Sequence, residues 1–134
     1  MNKPKLGFSL LELMIALAVL VIIGAIAYPS YLSYVTQAHR ADGQTALLDL
    51  SNRMERYFSM NNTYIGATLN TVGANANSPE GFYQLSIVNP TATTYTLQAV
   101  PQGSQTSDTT CGTLSLDSLG QKGESGTGTV QNCW

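Results

Sequence analysis

The sequence predicts an α+β protein: a long N-terminal helix, apolar in its first half and amphipathic in its second, packed on a small antiparallel β-sheet. Three observations carry this expectation. Residues 13–35 hold no charged side chain and are mostly Leu, Ile, Val and Ala. Leu47, Leu50, Met54, Tyr57 and Phe58 follow at steps of three, four, three and one, which places them on one helical face. Further on, two runs alternate apolar and polar residues, and the chain's two cysteines sit in its last quarter.

The apolar run is long enough to cross a bilayer, since ~20 apolar residues span the hydrocarbon core. Lys3 and Lys5 precede it and would hold the N-terminus in the cytoplasm. The competing reading is a cleaved secretory signal, for which Ala25-Ile26-Ala27 supplies a small-residue site. Glu12 separates the two. A carboxylate in a membrane helix costs up to ~2.5–3.5 kcal/mol on insertion scales, less near an end. A discarded segment gains nothing from that cost, whereas a retained helix can use the charge if it meets a cation. Cleavage after Gly7 would create such a cation, the α-amine of Phe8.

A basic leader ending in Gly7, then Phe8-Ser9-Leu10-Leu11-Glu12 and an apolar run closed by Tyr28-Pro29, resembles a type IV pilin precursor. The resemblance implies cleavage between Gly7 and Phe8 by a prepilin peptidase, N-methylation of Phe8, and a register role for Glu12. In that role Glu12 pairs with a neighbouring subunit's N-terminal amine during assembly, and pairing is what makes a buried charge tolerable. The expected organisation is a leader over 1–7, a transmembrane and filament-core helix over 8–29, and a globular domain over 30–134.

The amphipathic stretch continues the helix to about residue 60, with Asp42, Asp49, Asn52, Arg53 and Arg56 on other faces and Asp49–Arg53 as an i,i+4 pair. Pro29 is expected to kink it and Gly43 to weaken it by ~1 kcal/mol against Ala. Asn61-Asn62-Thr63 is a stop signal. A Gly/Ala/Asn/Thr-rich connector over 64–81 has no strong period. Strands are expected over 82–88 and 95–100, with Tyr83, Leu85 and Ile87 sharing one face of the first and Tyr95, Leu97 and Ala99 one face of the second. A third is expected over 111–116. After a turn at Asp117-Ser118-Leu119-Gly120 comes a flexible loop over 121–127 and a last strand at about 128–133.

In an exported chain, Cys111 and Cys133 read as one disulfide, worth roughly 3 kcal/mol in the chain-entropy model. Free thiols or a metal site have little to recommend them: no His lies nearby and no CxxC occurs. His39, the sole histidine, reads as a solvated helix residue, and Trp134 as a ring packed over the disulfide. Gly120-Gln121-Lys122-Gly123 lacks P-loop spacing, and no carboxylate cluster has EF-hand spacing. No enzyme activity, cofactor or metal is expected.

Arg40-Ala41-Asp42, Met54-Glu55-Arg56-Tyr57-Phe58, Asn61-Asn62-Thr63-Tyr64, Thr94-Tyr95-Thr96-Leu97, Cys111-Gly112-Thr113-Leu114 and Cys133-Trp134 resemble the PilE-type minor pilins, so the similarity covers nearly the whole chain. The resemblance implies the type IV pilin fold and a subunit that supports pilus priming, twitching motility, adhesion or DNA uptake. It implies as partners other pilin subunits, the prepilin peptidase, the inner-membrane assembly machinery and, before assembly, the membrane. The implied location is the bacterial inner membrane as a single-pass precursor, then the cell-surface pilus. Nucleic acid is not an expected partner. The formal charge is −2, and beyond Tyr57 the only basic residue is Lys122, against Glu80, Asp108, Asp117 and Glu124. The alternatives are a pilus-borne DNA receptor, a major pilin and a type II secretion pseudopilin.

Overall fold

The computed structural model describes residues 7–134; Lys3 and Lys5 lie outside the described residues. Helix α1 runs Leu10–Asn61. The chain divides into two compact units, the first ending at Val35 and the second being Thr36–Trp134.

In the first unit, α1 begins where Leu13 N–H donates to Ser9 O at 3.1 Å. Pro29 lies within the helix, and the Ser30 hydroxyl folds back onto Ile26 O at 3.2 Å. The apolar side chains of this unit are exposed all round, from Leu10 at 78% to Ile26 at 69%.

In the second unit, α1 packs on a four-stranded antiparallel sheet of order β1-β2-β3-β4. The strands are β1 (Tyr83–Val88), β2 (Thr96–Pro101), β3 (Leu114–Asp117) and β4 (Lys122–Glu124). Leu47, Leu50 and Met54 from the helix meet Tyr83, Leu85, Leu97, Ala99, Leu114 and Leu116 from the sheet, all buried. Tyr57 and Phe58 pack partly buried against that core. The alternating runs at β1 and β2 therefore face as expected, with Tyr95 buried just before β2. Helix α1 stops at Asn62, whose φ of 54° is the left-handed cap conformation and whose N–H reaches Phe58 O at 2.7 Å.

Several expectations need correcting. Asp42 is not on an outer face but buried at 8% exposure, in step with Ala46, Leu50 and Met54 at intervals of four. Gly43 is a packing residue: a Cβ there would stand 2.9–3.0 Å from the Tyr83 ring. Residues 121–127 are not all loop, because Lys122–Glu124 pairs with β3. A Lys-Gly-Glu strand has no apolar alternation to betray it; it forms because the turn at Asp117 returns the chain. There the Asp117 carboxylate accepts N–H bonds from Leu119 and Gln121 at 2.9 and 2.8 Å. The last segment is not a strand but a short helix, α2 (Val130–Cys133), with Cys133 N–H on Thr129 O at 3.2 Å. Closing the disulfide needs only that Cys133 return to Cys111, and a helical turn does this as well as a strand. The third strand starts at Leu114 rather than at Cys111.

Candidate assembly segment and the clamp on the C-terminal loop

Gly7, Phe8 and Ser9 precede α1, with Phe8 81% exposed. Glu12 lies in the first turn, where the helix dipole favours a carboxylate. It is exposed and has no hydrogen-bond or ion-pair partner among the described residues. Around it Leu10, Leu11, Leu13, Met14 and Ile15 are all more than half exposed. An apolar surface of this extent marks an interaction site, since soluble monomers rarely expose large contiguous apolar patches. The segment is also long and apolar enough to cross a membrane, and none of that span is buried.

In the second unit, Cys111 and Cys133 are disulfide-bonded with Cα atoms 5.5 Å apart. Helix α1 clamps this loop. Arg40 forks onto Asp108, Nε to Oδ2 at 2.7 Å and Nη2 to Oδ1 at 2.9 Å, and its Nη1 reaches Asn132 O at 3.3 Å. One helical turn on, Gln44 Nε2 donates to Cys133 O at 2.8 Å. Burial acts to raise the Asp108 pKa, but the Arg40 fork and the Cys111 and Thr110 N–H groups outweigh it and hold the carboxyl below its ordinary value. The Asp108 hydrogen bond likewise raises the Arg40 pKa, against desolvation.

Gln105, 1% exposed, joins this pair to the core. Its Nε2 faces Thr36 O, Tyr83 OH and Asp108 Oδ2 at 3.2, 3.0 and 3.3 Å. Its Oε1 can therefore only accept, so His39 Nδ1, 3.2 Å away, carries the proton. The His39 ring stacks on Phe82 with centroids 3.5 Å apart, which corrects the reading of His39 as solvated. Asp42 holds the connector by accepting from Ser78 Oγ, Glu80 N and Phe82 N. Glu55 Oε1 accepts from Tyr64 OH at 2.9 Å and Tyr95 OH at 3.0 Å. Desolvation, with the Glu55 charge, pushes both tyrosines up to about 12; for Tyr95 a Ser51 hydrogen bond partly offsets this. Trp134 Nε1 donates to Gly123 O at 2.9 Å, and Lys122 Nζ lies 5.0 Å over its ring. A solvent-open groove of about 710 Å³ runs between α1 and the connector. Its charged lining residues, Asp49 and Arg53, pair with each other at 2.7 Å.

Of the residues singled out in the sequence, Cys111 and Cys133 are brought together, while Gly7, Phe8, Glu12 and Pro29 follow one another along the first unit. The clamp residues Arg40, Gln44, Gln105 and Asp108 had no periodic signal, because their partners lie up to 92 residues away. Only Asp42 and Gly43 could have been found, by extending the steps of four back from Leu47 and Leu50.

Helix on meander sheet, C-terminal disulfide and an exposed apolar N-terminal helix define a type IV pilin. Comparison with known proteins agrees. A family model described as "Type IV minor pilin ComP, DNA uptake sequence receptor" matches residues 29–115, and one for the prokaryotic N-terminal methylation motif matches residues 2–28. The type IV pilin structure from Shewanella oneidensis is similar at 35% identity and TM-score 0.54, covering 74% of this chain and 97% of that one. The non-core minor pilin PilV of Neisseria meningitidis shares the fold at 24% identity and TM-score 0.59, covering 72% of this chain and 93% of that one. The type IV major pilin protein PilA of Myxococcus xanthus (strain DK1622) is 32% identical over 63 residues, which are 47% of this chain and 29% of that protein. The chain belongs to the ComP family of type IV minor pilins.

Proposed function

We propose that this minor pilin is a structural subunit that enters the pilus by helix packing after removal of residues 1–7. The observation that carries the reading is the first helix: apolar and exposed on every side, with Glu12 in its first turn and without a partner among the described residues. In the precursor that surface faces lipid across the inner membrane. In the filament it faces the equivalent helices of other pilins, and apolar contacts supply the cohesion. A prepilin peptidase cuts between Gly7 and Phe8 on the cytoplasmic side, and Phe8 is N-methylated. The new α-amine of a neighbouring subunit then pairs with Glu12 and sets register, so that the carboxylate is not left bare in an apolar bundle. Pro29, with no N–H to give the carbonyl of Ala25, marks where α1 can bend as the subunit moves from membrane to pilus. As a minor pilin it is taken to work with the inner-membrane assembly machinery, to help prime the filament, and to support motility, adhesion or DNA uptake. Glu12→Ala is expected to be cleaved normally yet to be missing from sheared pili; incorporation at the wild-type level would refute the register role.

A second reading, a DNA-binding pilin, is favoured by the description of the matching family. The charges of the second unit weigh against it: Arg40 is held by Asp108 and Arg53 by Asp49. Only Arg56 and Lys122 remain to meet phosphate. Binding through them alone would have a shallow salt slope of about −2. A gel shift of duplex DNA by the solubilised chain between low and moderate salt separates the two readings.

A further inference from the structure

Tyr28, Tyr31 and Tyr34 are 66%, 65% and 76% exposed. Steps of three turn each ring back by ~60°, so the three wrap roughly a third of the helix circumference. Resting on the membrane-anchor reading above, we propose that these tyrosines form an interfacial belt that seats in the lipid headgroup layer on the outer side of the bilayer and fixes the depth of the anchored subunit.

The distances fit that layer. From Leu10, where α1 starts, to Tyr28 the helix rises ~27 Å, close to the ~30 Å thickness of the hydrocarbon core. From Tyr28 to Tyr34 it rises ~9 Å, against an interfacial layer of roughly 5–8 Å on each side. The chemistry fits as well. A phenol presents an apolar ring to the acyl chains and a hydroxyl to ester and phosphate oxygens, which is why Tyr and Trp gather at that depth. The belt also continues the apolar surface without a charge, the first being Arg40. Pro29 lies within it and leaves the Ala25 carbonyl without its helical donor, a group that water near the headgroups can satisfy and the bilayer centre cannot.

The test uses the full-length precursor in phosphatidylethanolamine/phosphatidylglycerol vesicles, in a Trp134→Phe background, with one new tryptophan at a time: Leu20→Trp, Tyr31→Trp or Tyr34→Trp. Quenching by lipids labelled at the headgroup or deep in the acyl chain, and by aqueous iodide, reads depth. The expected result is deep quenching at position 20 and headgroup-level quenching at 31 and 34. In addition, Leu20→Trp should lose its sharp depth maximum when all three tyrosines are changed to Ala. Iodide-accessible tryptophans at 31 and 34 with position 20 still deep would overturn the belt and leave the anchor standing. Deep quenching at 31, or lipid-independent quenching that grows with the protein-to-lipid ratio, would place the segment in the core or against a second copy and also overturn it. Iodide access at position 20 would sink belt and anchor together. An unmoved depth profile in the triple Ala variant would refute the depth-setting role.

Discussion

Gly43→Ala reverses in sign between what a helix alone would do and what the packed chain should do. In an isolated helix the change gains ~1 kcal/mol of propensity. In the folded second unit the new Cβ stands 2.9, 3.0 and 3.0 Å from Cδ2, Cε2 and Cγ of Tyr83. Carbon pairs rest at about 3.5–4.0 Å, so the ring must retreat by roughly half an ångström or more. It has little room: Tyr83 is fully buried, is held in the β1–β2 ladder opposite Pro101, and its hydroxyl is bonded to Gln105 at 3.0 Å. Overpacking of this kind costs ~1–3 kcal/mol, which exceeds the propensity gain. The net expectation is destabilisation of ~1 kcal/mol. Guanidinium denaturation of the detergent-solubilised chain, read by the fluorescence of Trp134 in the second unit, measures it. The same substitution beside Tyr83→Leu should become neutral or stabilising, because the smaller side chain frees the space. A Gly43→Ala chain that is ~1 kcal/mol more stable than wild type would show that the ring yields freely and that the reasoning is wrong.

Arg40→Met should cost about 3–5 kcal/mol, since it leaves the 2%-exposed Asp108 side chain charged and unpaired. The folded pKa of Asp108 lies below its unfolded value of ~3.9, so its contribution is present above that pH and is lost as pH falls through the folded value. Acid titration of stability should therefore be shallower in Arg40→Met; an unchanged profile would remove the pair from the account. Tyr64 and Tyr95 stay protonated to about pH 12 when folded but only to ~10 when unfolded. Below pH 10 both states hold the proton and stability is flat; between 10 and 12 only the native state holds it, and stability falls. Tyr95→Phe should flatten part of that decline in an alkaline melt series. Reduction of Cys111–Cys133, a 22-residue separation, should lower stability by roughly 3 kcal/mol and leave the β1–β2 ladder intact, as read by amide exchange.

The elements with a strong local period were legible from residues alone. The stripe from Leu47 to Met54, the alternation at Tyr83–Leu85 and Leu97–Ala99, and the stop at Asn62 each depend on neighbours within a few positions. The apolar first half of α1 was legible for the same reason, since hydropathy is a linear signal. Strand β4 and helix α2 were not, because their formation depends on the Asp117 turn and the disulfide rather than on their own residues. His39 and Asp42 were misread because exposure is decided by what packs over a helix face, here Phe82 and the Ser78 segment.

What the amino-acid sequence determined by itself is therefore the class of subunit: an apolar helix with one acidic residue in its first turn, an amphipathic continuation and a disulfide near its end. What only the tertiary structure decided is how the C-terminal loop is held, through Arg40–Asp108, Gln105 and Gln44–Cys133. It also turned Gly43 from a weak helix residue into a close packing contact with Tyr83. Both depend on residues dozens of positions apart meeting at hydrogen-bond or van der Waals distance, and no linear pattern encodes such a meeting.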